Sequence, residues 1–219
     1  MKKYELTAEF IEKWGKKLFR IKALISFGSV EAGELGGYIE KEDNLAHDGN
    51  AWVSGNARVS GNARVSGDAE VSGNAEVSGD ARVSGDAEVS GDARVYGNAW
   101  VYGDAEVSGN AWVYGNARVS GNARVSGDAE VSGNADYLLI GRIGSRFSFT
   151  TFFKNKDKGI TVSCGCFLGT IAEFRAKVTD THGNNKHAKI YNLAADMAEL
   201  QILGEEHFDK LNTNKSELF

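Results

Sequence analysis

From Gly49 to Gly133 a glycine stands at every sixth position without a slip, fifteen in all. The unit is Gly-(Asn/Asp)-Ala-x-Val-(Ser/Tyr), with alanine in its place from Ala51 to Ala135 and valine from Val53 to Val131. So long a register governs the fold. An α-helix is a poor host: six does not match its period of 3.6, and recurrent glycine and β-branched valine would erode it. Ala-x-Val-Ser reads instead as a short strand with Ala and Val turned inward and x and Ser outward. Gly-Asn or Gly-Asp supplies a corner where positive φ is tolerated. Strand and corner repeated identically describe a solenoid with neighbouring strands about 4.8 Å apart. The chain has no proline, as suits a ladder with few places for a residue lacking an N–H.

The run Val-Ser-Gly-Asn-Ala-Arg resembles the hexapeptide repeat of left-handed parallel β-helices. That resemblance implies triangular coils of three hexads, about five of them, and a homo-oligomer with a trimer favoured. The superfamily hosts acyltransferases, γ-class carbonic anhydrases and non-enzymatic proteins, so it implies fold more than function. The stretch Leu18–Leu24, then Phe27-Gly28 and Ala32–Glu40, is similar to the opening of YdcK-like hexapeptide-repeat proteins. Residues Cys164–Ile171 resemble the tail of prophage-encoded relatives, which implies a phage or prophage context and the cytoplasm of a bacterial host.

Both ends of a solenoid need covers. Residues 1–48 form an αβ cap: a short helix around Thr7–Lys17, a strand at Leu18–Ser26, then a glycine-rich turn. Residues 49–136 are the solenoid and 137–219 a small α+β domain. There Tyr137–Ile140 continues as a strand, and Phe147–Lys154 with Ile160–Ser163 reads as a hairpin around Asn155–Gly159. Thr170 caps a helix to about Thr181, with Glu173 completing a capping box. A second helix runs from about Lys186 to Leu203, and Gly204–Phe219 is a polar tail.

The repeats offer little to an enzyme. The four histidines are His47, His182, His187 and His207, all outside the regular hexads, and no inserted loop covers a substrate. His47 fills the valine slot of a degenerate hexad and reads as a cap residue. An acyltransferase-like site at a subunit boundary, using His47 or a tail histidine, is the alternative. Cys164, Cys166, His182 and His187 are a weak metal candidate. Cys-x-Cys on a strand puts both thiols on one buried face, and core cysteines beside surface histidines are the simpler expectation. No cofactor is expected. A formal net charge of −5 argues against bulk nucleic-acid binding, and no apolar stretch is long enough to span a membrane.

Function must then lie in the outward slots. With 18-residue coils the x positions sort into three columns. The first carries Trp52, Glu70, Glu88, Glu106 and Arg124. Beside it, Asp68, Asp86 and Asp104 complete an acidic face of six carboxylates. The second, Arg58, Glu76, Arg94, Trp112 and Glu130, alternates in sign and should pair internally. The third, Arg64, Arg82, Trp100, Arg118 and Asp136, is mainly basic. Tyr96, Trp112 and Tyr114 fall on the second face and Trp100 and Tyr102 on the third, an outward aromatic cluster along one edge. Segregated charge with aromatics points to a non-catalytic binding or assembly protein. Either basic and acidic faces of separate copies meet, or Arg64, Arg82, Arg94 and Arg118 hold phosphate while the aromatics stack on a base. Sequestering a nucleotide-like ligand or blocking a host protein would follow in a phage setting.

Overall fold

The structure, a computed structural model, describes residues 1–205. It divides into two compact units, Met1–Gly127 and Asp128–Phe219. The expected polar tail beyond residue 205 lies outside the described residues.

The first unit opens with strands β1 (Tyr4–Lys13), β2 (Lys16–Ala23) and β3 (Leu35–Ile39). The hexads then contribute one two-residue strand each, β4 (Trp52–Val53) through β17 (Glu130–Val131), the last of which belongs to the second unit. Strands three hexads apart pair in parallel, so Glu88 lies beside Glu70 and Glu106, and Trp100 beside Arg82 and Arg118. Three sheets result: β4-β7-β10-β13-β16, then β3-β5-β8-β11-β14, then β6-β9-β12-β15. The coil of 18 residues and the parallel solenoid of about five turns are as expected.

The repeat explains its own packing. Every alanine and valine slot from Ala51 to Val125 is at most 1% exposed. Fully burying a valine contributes roughly 1.5–3 kcal/mol, and here that gain recurs every six residues. The corner glycines hold positive φ, +73° at Gly85, and a Cβ there would stand 2.9 Å from the Gly103 nitrogen of the next coil. Beside them the Asn/Asp slots form ladders up the axis, such as Asn56 to Asn74 (3.3 Å) and Asn74 to Asp92 (3.0 Å).

The cap corrects one expectation. Residues 7–17 are not helical: β1 and β2 form an antiparallel hairpin pairing Tyr4 with Ala23 and Lys13 with Lys16. Trp14 (φ 52°) and Gly15 (φ 73°) make the two-residue turn between them. Cross-strand pairing overrides the local helical preference of the Glu- and Lys-rich segment. Trp52 is a second correction. It is not an outward residue but 5% exposed, with the rings of Tyr4 (6.4 Å) and Phe27 (5.4 Å) against it.

The cap also ends the ladder chemically. In each coil a backbone N–H donates to a carbonyl one coil on, which leaves the first coil's carbonyls without backbone donors of a preceding coil. Tyr38 N, Glu40 N and Ala46 N supply three donors, to Ala57 O, Val59 O and Val65 O. Side chains supply the rest described here. Lys3 Nζ donates to Gly49 O (3.1 Å) and Ala51 O (2.8 Å), and Asn44 Nδ2 to Gly61 O (3.1 Å) and Ala63 O (2.8 Å). The Tyr4 hydroxyl lies 2.8 Å from the carbonyl oxygens of both Glu42 and Leu45, which share its one proton.

In the second unit β18 (Tyr137–Ile143), β19 (Ser148–Lys154), β20 (Ile160–Cys164) and β21 (Phe167–Thr170) form an antiparallel sheet in chain order. Helices α1 (Ile171–His182) and α2 (Lys186–Leu203) follow, with the expected Thr170–Glu173 capping box. Phe152, Val162, Phe174, Val178 and Tyr191 form the core. Arg175 joins the helices through Asp196 and Glu199, both at 2.7 Å. Asp136 corrects a third expectation. It is not a strand residue of the basic face but ends a 3-10 turn, accepting hydrogen bonds from Ser132 N (2.8 Å), Ser132 Oγ (2.6 Å) and Gly133 N (3.0 Å). Burial pushes its carboxyl up, but those bonds and Lys154 outweigh it and hold the group below the usual range.

Candidate functional site on the basic face

A groove of about 740 Å³ runs along the third face. Its wall is the turn at Lys41–Asn44, and its floor is the column Arg64–Arg82–Trp100. Lys41, Arg64 and Arg82 supply three cations, Asn62, Ser66 and Ser84 supply amide and hydroxyl groups, and Asp43 is the one carboxylate in the lining. Lys41 Nζ donates to Asn62 Oδ1 (3.1 Å), which fixes the wall to the floor. Among the described residues no carboxylate forms an ion pair with Arg64 or Arg82. Two adjacent guanidiniums in register, facing a concavity, form a site for an anion with two or more oxygens.

The aromatics do something other than expected. The Arg82 guanidinium lies 4.9 Å and that of Arg118 5.1 Å from the centre of the Trp100 ring. They come from the coils before and after it. Tyr102 meets its edge at 6.5 Å. On the second face Tyr96 stacks on Tyr114 (5.2 Å, 7° between planes), Trp112 stands edge-on to Tyr96, and Arg94 lies over Trp112 at 5.2 Å. Of these rings Tyr96 and Tyr114, one coil apart, face each other along the ladder. At Trp100 these cation–π contacts hold two arginines in place.

The second face pairs internally in part: Arg58 meets Glu76 at 3.0 Å, and Lys13 of the hairpin reaches the same carboxylate. The first face keeps its carboxylates. Glu70, Glu88 and Glu106 stand in register, with Arg124 paired to Glu106 at 2.9 Å. At its corner Asp68 accepts from Asn50 N (2.8 Å) and Asp104 from Asn122 Nδ2 (3.3 Å). Asp86 lies between them, where neighbouring carboxylates have no proton to share.

The remaining candidates fall outside this site. His47 is a cap residue, stacked on Tyr4 at 4.4 Å and accepting from Lys3 N at 3.3 Å. Cys164 and Cys166 do not share a buried face. Gly165 (φ 60°) turns the chain between them, leaving Cys166 exposed while Cys164 accepts from Thr150 Oγ1 at 3.2 Å. The His182 and His187 rings lie 5.8 Å apart, and His182 stacks on Tyr191. Among the described residues no group of three or more His, Cys, Asp or Glu side chains is placed to hold a metal ion. None of their helices is long and apolar enough to cross a membrane. Lys41, which completes the groove, was not anticipated. Its signal was a lysine at the junction of cap and first coil, beside a basic column.

The family described as the YdcK beta solenoid repeat matches five stretches, residues 51–67, 57–73, 87–103, 111–127 and 117–133. No curated protein matches the chain. The matched stretches lie within the hexads, and they agree with the coils in identifying the chain as carrying a β-solenoid repeat.

Proposed function

We propose that the chain is a non-catalytic binding protein that holds a phosphate-bearing ligand in the groove of its basic face. The supporting observation is the pair Arg64 and Arg82, in register and without carboxylate partners among the described residues, with Lys41 across the groove. Phosphate oxygens would take bidentate hydrogen bonds from the guanidiniums, and Asn62, Ser66 and Ser84 would complete their shell. A nucleotide fits through its phosphates rather than by stacking on Trp100, so a di- or triphosphate should bind better than the nucleoside. The resemblance to prophage-encoded relatives favours sequestration of a host nucleotide over its turnover.

Calorimetry with a nucleotide panel and inorganic pyrophosphate tests this. Arg64→Ala with Arg82→Ala removes charge-assisted bonds of about 1.5–3 kcal/mol each, so affinity should fall by 100-fold or more. Equal binding of pyrophosphate by this variant and the parent would sink the proposal.

A further inference from the structure

The acidic face and the basic face are built on the same ladder. Arg64 and Arg82 are one coil apart in the third column, and Glu70 and Glu88 are one coil apart in the first. Each pair therefore repeats at the strand spacing of about 4.8 Å. Arg64 and Glu70 are six residues apart in the chain, a third of an 18-residue coil, so they differ in height by about 1.6 Å. The same holds for Arg82 and Glu88. When two copies stand side by side with axes parallel and level, both arginines of one meet both glutamates of the other without any slip along the axis. Long arginine side chains absorb an offset of that size.

We propose that the basic face of one copy docks the acidic face of a second, and that this contact competes with the phosphate ligand for Arg64 and Arg82. The docking rests on charge complementarity in register. Its competition with ligand rests also on the binding proposed above. The acidic face acts as an internal mimic of the ligand, with carboxylates placed where phosphate oxygens would sit. The two events draw on the same guanidiniums, so they must oppose one another, and by linkage each weakens the other by the same factor. Because the two surfaces differ, the contact is head to tail, and a docked pair retains one unused face of each kind.

Sedimentation velocity with two variants tests the docking. Glu70→Gln/Glu88→Gln keeps the basic face, and Arg64→Gln/Arg82→Gln keeps the acidic one. All four side chains are outward, so both variants should fold, with unchanged circular dichroism. The parent should self-associate at 50 mM salt and dissociate at 500 mM, as expected for exposed ion pairs. Each variant alone should be monomeric, and an equimolar mixture should form a 1:1 complex and nothing larger. A parent monomeric at millimolar concentration, a mixture that stays monomeric, or variants as associated as the parent would each overturn the docking.

Pyrophosphate separates this proposal from the binding one. It should dissociate the parent, with an apparent affinity at least about threefold weaker at 200 μM protein than at 2 μM. The Glu70→Gln/Glu88→Gln variant should bind it with no dependence on protein concentration. If the parent associates as described but binds no pyrophosphate, the function proposal and the competition fall while the docking stands. If pyrophosphate binds the parent equally at all concentrations, the competition is refuted.

Discussion

Gly85 and Gly15 share a φ of +73°, but a Cβ at Gly85 would stand 2.9 Å from Gly103 N and 3.2 Å from Gly103 O, whereas at Gly15 nothing lies within 4 Å. Alanine at either position bears a left-handed backbone cost of roughly 1–2 kcal/mol. Reduced freedom in the unfolded chain returns about 0.4–1 kcal/mol of it. Gly15→Ala should therefore destabilise by about 1 kcal/mol. At Gly85 the added methyl presses on backbone, which cannot swing aside as a side chain can. The coil of Gly103 must shift, straining the bonds that flank the contact, Ser84 N to Val101 O (3.0 Å) and Glu88 N to Ala105 O (2.9 Å). Overpacking of this kind costs a further 1–3 kcal/mol or so. All four tryptophans lie in the first unit, so their fluorescence follows its melting alone. At roughly 2–4 °C per kcal/mol, Gly85→Ala should melt about 2–12 °C below Gly15→Ala. Equal melting temperatures for the two variants would refute the claim that inter-coil contact, beyond positive φ, requires glycine at the corners.

The cap and the second unit yield three more tests. Burial lowers the pKa of Lys3, partly opposed by Asp48 and Asp68. Between that lowered value and 10.5 the unfolded chain binds more protons, so stability should rise with pH across this window. Lys3→Met should remove that rise and, by orphaning the carbonyls of Gly49 and Ala51, destabilise the first unit by about 1–3 kcal/mol in urea titrations followed by tryptophan fluorescence. Tyr191 shifts the other way: burial and its hydrogen bond to Cys164 push its phenol up to about 12. Its contribution is complete below pH 10 and lost as pH rises from 10 to 12, so Tyr191→Phe should flatten the alkaline decline of helix signal at 222 nm. Arg175→Met leaves the buried Glu199 carboxylate without its cation, and should cost the second unit about 3 kcal/mol or more in the same 222 nm measurement.

How legible each part was depends on how many positions repeat the same instruction. The coil could be read because Ala, Val and Gly recur at one spacing: the inward face and the corner follow from periodicity, while the 18-residue turn followed from the resemblance to hexapeptide-repeat β-helices. The helices of the second unit were legible for a local reason, a capping box at Thr170 and an Asn185 cap whose side chain accepts from His187 N and Ala188 N. The first hairpin was not, because its decisive interaction is between strands and its Trp14-Gly15 turn lies within a helix-favouring segment. Lys3, Tyr4 and Asn44 were missed as caps for a related reason. Their partners are carbonyls 17 to 48 residues away in the chain, and no local pattern marks them. Asn44 did carry a faint signal, since it occupies the Asn/Asp slot of a degenerate hexad preceding Gly49.

The outward slots show why residue type alone misplaces a site on a solenoid. In a globular surface an exposed Trp beside arginines offers its ring face to a ligand. In a ladder with strands about 4.8 Å apart, the side chains above and below are the nearest neighbours, and they reach the ring face first. Trp100 is 37% exposed, and the guanidiniums of Arg82 and Arg118 from the neighbouring coils both lie over its ring. The stacking energy is thus spent within the protein, where it holds two guanidiniums that would otherwise repel each other. What remains for a ligand is the outer rim of those guanidiniums, which reads oxygens and not rings. Column position therefore moves the expected specificity from base to phosphate. Trp100→Ala separates the two: it should loosen Arg82 and weaken every phosphate ligand alike, whereas a base-stacking site would lose nucleotides and keep pyrophosphate.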